Sequence, residues 1–82
     1  MNKLIDLLER RGTLRLLREL ADGPLGFRAL LSRTGARSPT SLSQRLKELQ
    51  QARLVELEHG EYRFTRDGED LHRRLRSLFD WR

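Results

Sequence analysis

The stretch SPTSLSQRLKELQQARLVELEHGEYRFT, residues 38–65, changes its hydrophobic period half-way along, and that change decides the fold. In its first half Leu42, Leu46 and Leu49 recur at i, i+4 and i+7, one apolar stripe on a helix. The Ser38 hydroxyl can accept from an orphan backbone N–H and Pro39 suits the first helical position, so the helix is expected at about Pro39 to Gln51. In the second half Val55, Leu57, Tyr62 and Phe64 alternate with Glu56, Glu58, Glu61 and Arg63 about His59-Gly60. A period of two around such a pair predicts a β-hairpin with a two-residue turn, since glycine is free to adopt positive φ and histidine tolerates it better than most residues.

Upstream, Phe27, Leu30 and Leu31 predict a helix of about two turns, closed by Thr34-Gly35. Before it Leu14, Leu16, Leu17 and Leu20 repeat at helical spacing, with Thr13 as the expected cap, Gly12 as a bend, and Asp22-Gly23-Pro24 as the stop, Gly23 supplying a left-handed cap. Leu4, Ile5, Leu7 and Leu8 predict a first helix. Downstream, Thr65 is expected to cap a last helix with the stripe Leu71, Leu75, Leu78 and Phe79, and Trp81 near its end. The result is mainly α with a small β-hairpin (α+β). Two short helices joined by a tight Gly-containing turn, the second basic and followed directly by a hairpin, describe a winged helix-turn-helix. Residues 1–82 are expected to form a single domain whose terminal helices serve dimerisation.

Composition closes several functional classes. With 82 residues there is material for one core and not two. The absence of cysteine removes disulfides, thiolate metal ligands and thiol redox sensing. His59 and His72 are the only histidines and are separated by a helix start, so no metal site is expected. No nucleophile stands beside a base, no Gly-rich phosphate loop is present, and Glu69-Asp70 reads as charge placed to stabilise a helix dipole, so neither an enzyme nor a cofactor is expected. No apolar run is long enough for a signal peptide or a membrane span, which leads to the expectation of a cytoplasmic, nucleoid-associated protein without membrane contact.

The net charge of +5 is unevenly spread. Gly26 to Arg53 holds six basic residues (Arg28, Arg33, Arg37, Arg45, Lys47, Arg53) against the single acid Glu48, whereas Leu54 to Arg82 holds six basic and seven acidic residues. The positive third coincides with the helix-turn-helix, as a phosphate-binding face requires; a solvated basic surface with no partner is the competing reading. With the leucine stripe inward, Thr40, Ser43, Gln44, Lys47 and Gln51 lie opposite it and Ser41, Arg45 and Glu48 lie on the flanks. Gln pairs bidentately with adenine, Arg or Lys with guanine, and Ser or Thr with base edges or phosphates, so this face suits the major groove of double-stranded DNA. Arg37 and the N–H groups after Ser38 lie at a helix N-terminus, where an anion is favoured, and Arg28 and Arg33 stand on the preceding helix. The expected DNA-binding residues are Arg28, Arg37, Ser38, Thr40, Ser41, Ser43, Gln44, Arg45, Lys47 and Arg63.

The wing is different in character. A two-residue turn sets Glu58 against Glu61, beside Glu56, and such an acidic tip avoids phosphate. It is therefore expected to add little to binding beyond Arg63, while Val55, Leu57, Tyr62 and Phe64 mainly complete the core. The terminal helices carry more apolar residues than a thin core can cover, so Leu4, Leu7, Leu8, Leu71, Leu75, Leu78 and Phe79 are the expected homodimer interface, with simple filling of the monomer core as the alternative. A winged helix used only for protein contact is the rival function, and the glutamate-rich tip speaks for it.

From about Thr13 to Trp81 the chain resembles the HxlR-type winged helix regulators, relatives of the MarR group. The resemblance is carried by Leu17-Arg18-Glu19-Leu20 before Asp22-Gly23-Pro24, by Phe27, by Ser38-Pro39 with Leu42-Ser43-Gln44-Arg45-Leu46-Lys47-Glu48-Leu49, by Leu54-Val55, and by Tyr62-Arg63-Phe64-Thr65-Arg66-Asp67-Gly68-Glu69-Asp70-Leu71. It implies a homodimeric prokaryotic transcription regulator whose Pro39 to Gln51 helix enters the major groove. The chain departs from the family in having Arg37 where an apolar residue usually precedes Ser-Pro, Arg53 where a Gly usually precedes Leu-Val, Thr13-Leu14 where Lys-Trp usually opens the second helix, a much shorter wing, and no N-terminal cysteine.

Overall fold

A computed structural model describes residues 2–81, which form, in order, α1 (Lys3–Glu9), α2 (Thr13–Leu20), β1 (Leu25–Gly26), α3 (Phe27–Thr34), α4 (Pro39–Gln51), β2 (Val55–Glu58), β3 (Glu61–Phe64) and α5 (Arg66–Phe79). Each helix that begins on a polar side chain is capped by it. Asn2 Oδ1 accepts from Leu4 N at 2.8 Å, Ser38 Oγ from Ser41 N at 3.1 Å, and Thr65 Oγ1 from Gly68 N at 3.0 Å. Pro39 occupies the first turn of α4, as its locked φ and missing N–H favour.

The core is almost entirely leucine. Leu16, Leu17 and Leu20 of α2, Leu30 of α3 and Leu42, Leu46 and Leu49 of α4 are all nearly inaccessible, so the α4 stripe is buried as its spacing predicts. Leu7, Leu54 and Val55 close the cluster, and Leu71 and Leu75 of α5 pack against it.

Three details differ from the sequence reading. Thr13 does not cap α2: Gly12, at φ 91°, takes that position without a side-chain bond, and Thr13 is pulled into the first turn with its side chain buried. The sheet has three strands in the order β1-β3-β2, because Leu25–Gly26 pairs antiparallel with the free edge of β3 (Leu25 opposite Tyr62, Gly26 opposite Glu61). The apolar residues of the hairpin also do not all complete the core. Val55 at its base is buried, but Leu57, one pleat further out, is half exposed because the hairpin runs beyond the helices that cover its base.

The α4–β2 junction is a Schellman turn. Leu54 N donates to Leu49 O and Arg53 N to Gln50 O, both at 3.0 Å, which forces Arg53 into the left-handed region at φ 61°. A side chain there costs free energy that glycine avoids, offset in part by glycine's greater freedom in the unfolded chain. Arg53→Gly is therefore expected to stabilise the fold by about 0.5–1 kcal/mol, read as a rise of about 4 °C in Tm by circular dichroism. A lower Tm would show that the Arg53 side chain contributes more than its backbone strain costs.

Candidate nucleic-acid interface

Helix α4 has three kinds of face. Leu42, Leu46 and Leu49 point into the core, and Thr40, Ser43, Gln44, Lys47 and Gln51 are exposed. Between them runs the stripe Ser41, Arg45 and Glu48, spaced i, i+4 and i+7, which turns toward the α1–α2 junction. The exposed face contains no acid.

Glu48, the one carboxylate in the basic third of the chain, is not free on this surface. Its side chain is 16% exposed and meets Arg45 Nε at 3.1 Å and Arg10 Nε at 3.7 Å. Gln44 Nε2 also donates to Glu48 Oε2 at 3.3 Å. Arg45, expected among the DNA-contacting residues, is thus held at the flank of α4 by an ion pair. Lys47, by contrast, makes no ion pair with any described residue.

The other expected residues fall around this helix. Arg37 is exposed in the α3–α4 turn and Arg28 is exposed in the first turn of α3. The Ser38 hydroxyl is committed to the cap and donates to Ser41 Oγ at 3.2 Å, so the two serines satisfy each other. Arg33 is exposed near the end of α3, where its carbonyl accepts from Arg15 Nη2 at 3.1 Å.

On the wing, His59 and Gly60 sit at φ 52° and 79°, the two positive values of a type I′ turn. Glu58 does stand opposite Glu61, and Glu56 opposite Arg63. Arg63 is gripped by both flanking acids, at 2.7 Å from Glu58 and 3.6 Å from Glu56, so the one cation expected to serve DNA here is already neutralised.

Of the expected interface residues on the terminal helices, Leu7 is a correction. It is 8% exposed and belongs to the chain's own core, so its burial is accounted for without a partner. Leu4, Leu8, Leu71, Leu75 and Phe79 are half-buried, whereas Leu78 is 59% exposed. Ile5 and Trp81 are also exposed, Trp81 by 82%, and neither stood among the expected interface residues.

The family model for HxlR-like helix-turn-helix proteins matches residues 7–82. The chain belongs to the HxlR-like helix-turn-helix family. Among solved structures, quinone-bound YodB from Bacillus subtilis is 29% identical with a TM-score of 0.87, covering 96% of this chain and 90% of that one. The reduced form of the transcriptional regulator YodB is 27% identical with a TM-score of 0.82, covering 96% of this chain and 84% of that one. The transcriptional repressor BigR from Xylella fastidiosa is 28% identical with a TM-score of 0.81, covering 94% of this chain and 80% of that one. The curated proteins give no match. This HxlR-type chain is accordingly a DNA-binding transcription regulator of winged helix fold and not an enzyme. No described helix is long and apolar enough to cross a membrane.

For an HxlR-type protein the restraint on Arg45 has a measurable consequence. Glu48→Gln removes the charge that holds Arg45 and Arg10, and of these two only Arg45 is among the residues expected to contact DNA. The slope of log K against log salt is expected to steepen by about 0.9 per subunit, the increment for one more neutralised phosphate. An unchanged slope would show that Arg45 stays at the flank without its partner.

Proposed function

We propose that this chain regulates transcription as a homodimer in which α4 of each subunit enters one of two successive major grooves. The observation that carries the reading is the division of labour on α4: an exposed face of Thr40, Ser43, Gln44 and Lys47 without acids, and a single acid drawn aside by Arg10 and Arg45. Gln44 and Lys47 reach base edges, Thr40 and Ser43 reach bases or sugar-phosphate, and Arg28, Arg37, Ser38 and Ser41 position the helix on the backbone. Arg45 joins them once released from Glu48, and Arg63, tied to Glu56 and Glu58, adds little.

Dimerisation is supported by the apolar surface of the terminal helices, where Ile5, Leu78 and Trp81 are exposed beside half-buried Leu4, Leu8, Leu71, Leu75 and Phe79. A two-fold dimer presents its recognition helices about 34 Å apart and reads a pseudo-palindrome. Thiol-based sensing is closed to this sequence, which has no cysteine. We place its action in the cytoplasm, on the nucleoid, with residues 1–82 acting as one domain.

The test is selection of binding sites from random duplexes, with sedimentation analysis of the protein at micromolar concentration. The expected result is a dimer and a two-fold symmetric site with half-sites about 10 base pairs apart. A monomer that enriches no sequence would instead favour the reading in which the wing, with exposed Leu57 among Glu56, Glu58 and Glu61, docks a protein partner.

A further inference from the structure

Behind the recognition helix lies a cavity of about 350 Å³, at the lower end of the range for small-ligand sites. Three separate parts of the fold wall it: the α1–α2 junction through Arg11 and Gly12, the α3–α4 turn through Thr34 to Arg37, and the flank of α4 through Ser41, Leu42 and Arg45. Three arginines, Arg11, Arg37 and Arg45, are among the residues that line it, and no carboxylate does. Gly12 and Gly35 border open space, where a Cβ would meet nothing within 4 Å. Leu42 and Ala36 supply apolar wall.

The charge count selects the ligand. Arg45 is balanced by Glu48. Arg11 and Arg37 form no ion pair with any described residue, which leaves two unbalanced positive charges at the cavity. A carboxylate would neutralise one of them; a phosphate monoester carries about −1.5 to −2 at neutral pH and offers three acceptor oxygens to planar, multi-donor guanidinium groups. The site does not depend on the start of α4, because the Ser41 N–H is already taken by the Ser38 hydroxyl.

We propose that this cavity binds a small phosphate monoester with an apolar body, held by Arg11 and Arg37. Its occupancy competes with DNA, a consequence that rests on the proposed use of Arg37 and Ser41 on the duplex. Ligand binding itself does not rest on that reading. The same phosphate chemistry could be offered by the DNA backbone, and Arg11 separates the two sources because it reaches the cavity from the α1–α2 junction and is not itself among the proposed DNA-contacting residues.

The experiment titrates phenyl phosphate, inorganic phosphate and benzoate, at constant ionic strength and without DNA, into the wild type and Arg11→Ala, following amide shifts by NMR. Arg11 is exposed, so the variant is expected to keep its Tm. Saturable shifts around Gly12, Gly35 and Ser41 are expected with phenyl phosphate, weaker ones with the two controls, and about tenfold weaker phenyl phosphate binding in Arg11→Ala, the loss expected for one charged hydrogen-bonding partner. DNA affinity of the variant without ligand should stay within about twofold of wild type, and phenyl phosphate should weaken DNA binding by the wild type only. No saturable binding, or binding indifferent to Arg11→Ala, would overturn the proposal. So would a loss of DNA affinity in Arg11→Ala as large as that from changing the exposed face of α4, which would make the cavity a seat for backbone phosphate.

Discussion

Gly68→Ala is expected to destabilise the fold by about 3 kcal/mol or more, a large share of the roughly 5–15 kcal/mol that holds a small domain folded. Elsewhere in a helix the same change is favourable by roughly 1 kcal/mol, so the sign is reversed here by packing alone. Gly68 lies buried in the first turn of α5, pressed against the chain that leaves the Schellman turn. A Cβ at this position would lie inside the van der Waals envelope of the Leu54 carbonyl oxygen, 3.0 Å from the Leu54 carbonyl carbon and 3.0 Å from Phe64 Cδ1. The Leu54 backbone atoms cannot give way independently. Leu54 O accepts from Thr65 N at 3.1 Å, and Thr65 Oγ1 both donates to Arg53 O at 2.6 Å and caps the helix through Gly68 N. The whole junction of α4, the hairpin and α5 would have to open. Thermal denaturation followed by far-UV circular dichroism reads the effect, and a Tm equal to or above wild type would contradict this close approach.

The second large effect is on DNA. Gln44→Ala combined with Lys47→Ala changes two exposed side chains of α4, so Tm should move little. A bidentate base contact is worth about 1–3 kcal/mol of discrimination, and a dimer is deprived of it twice. Affinity for a selected operator is therefore expected to fall about 100-fold or more. Retention of wild-type affinity on that operator would mean that α4 is not the element in the groove.

The parts of the molecule that could be read from sequence are those whose cause is local. The α4 boundaries follow from Ser38-Pro39 and the leucine stripe, and the hairpin register follows from alternation about His59-Gly60; both stand as the spacing predicts. Thr65 caps α5 for the same reason. What escaped the sequence depends on neighbours distant along the chain. Two residues cannot display a period, so β1 exists only because the second edge of β3 is free to pair with it. The cap position expected for Thr13 is taken by the backbone of Gly12, because the threonine side chain is drawn inward with α2.

The same distinction separates the parts of the interface. The polar face of α4 is visible as a helical pattern, whereas the pairing of Arg45 with Glu48 and the approach of Arg10 and Arg11 from the α1–α2 junction are not. Arg45 and Glu48, three apart on one helix, carry a local hint of pairing. Nothing local places Arg10 or Arg11 beside them. Leu57 departs from expectation for a related reason: alternation tells which face of the hairpin is apolar, but not how far the helical body extends to cover it.

The most direct test of the central claim is binding of the wild-type protein to duplex DNA at roughly 50 and 200 mM salt. A dimer that neutralises about six phosphates is expected to bind at the lower concentration and to bind about 10³-fold more weakly at the higher one. Absence of binding at low salt, or affinity indifferent to salt, would contradict the account and leave the basic middle third as a solvated surface.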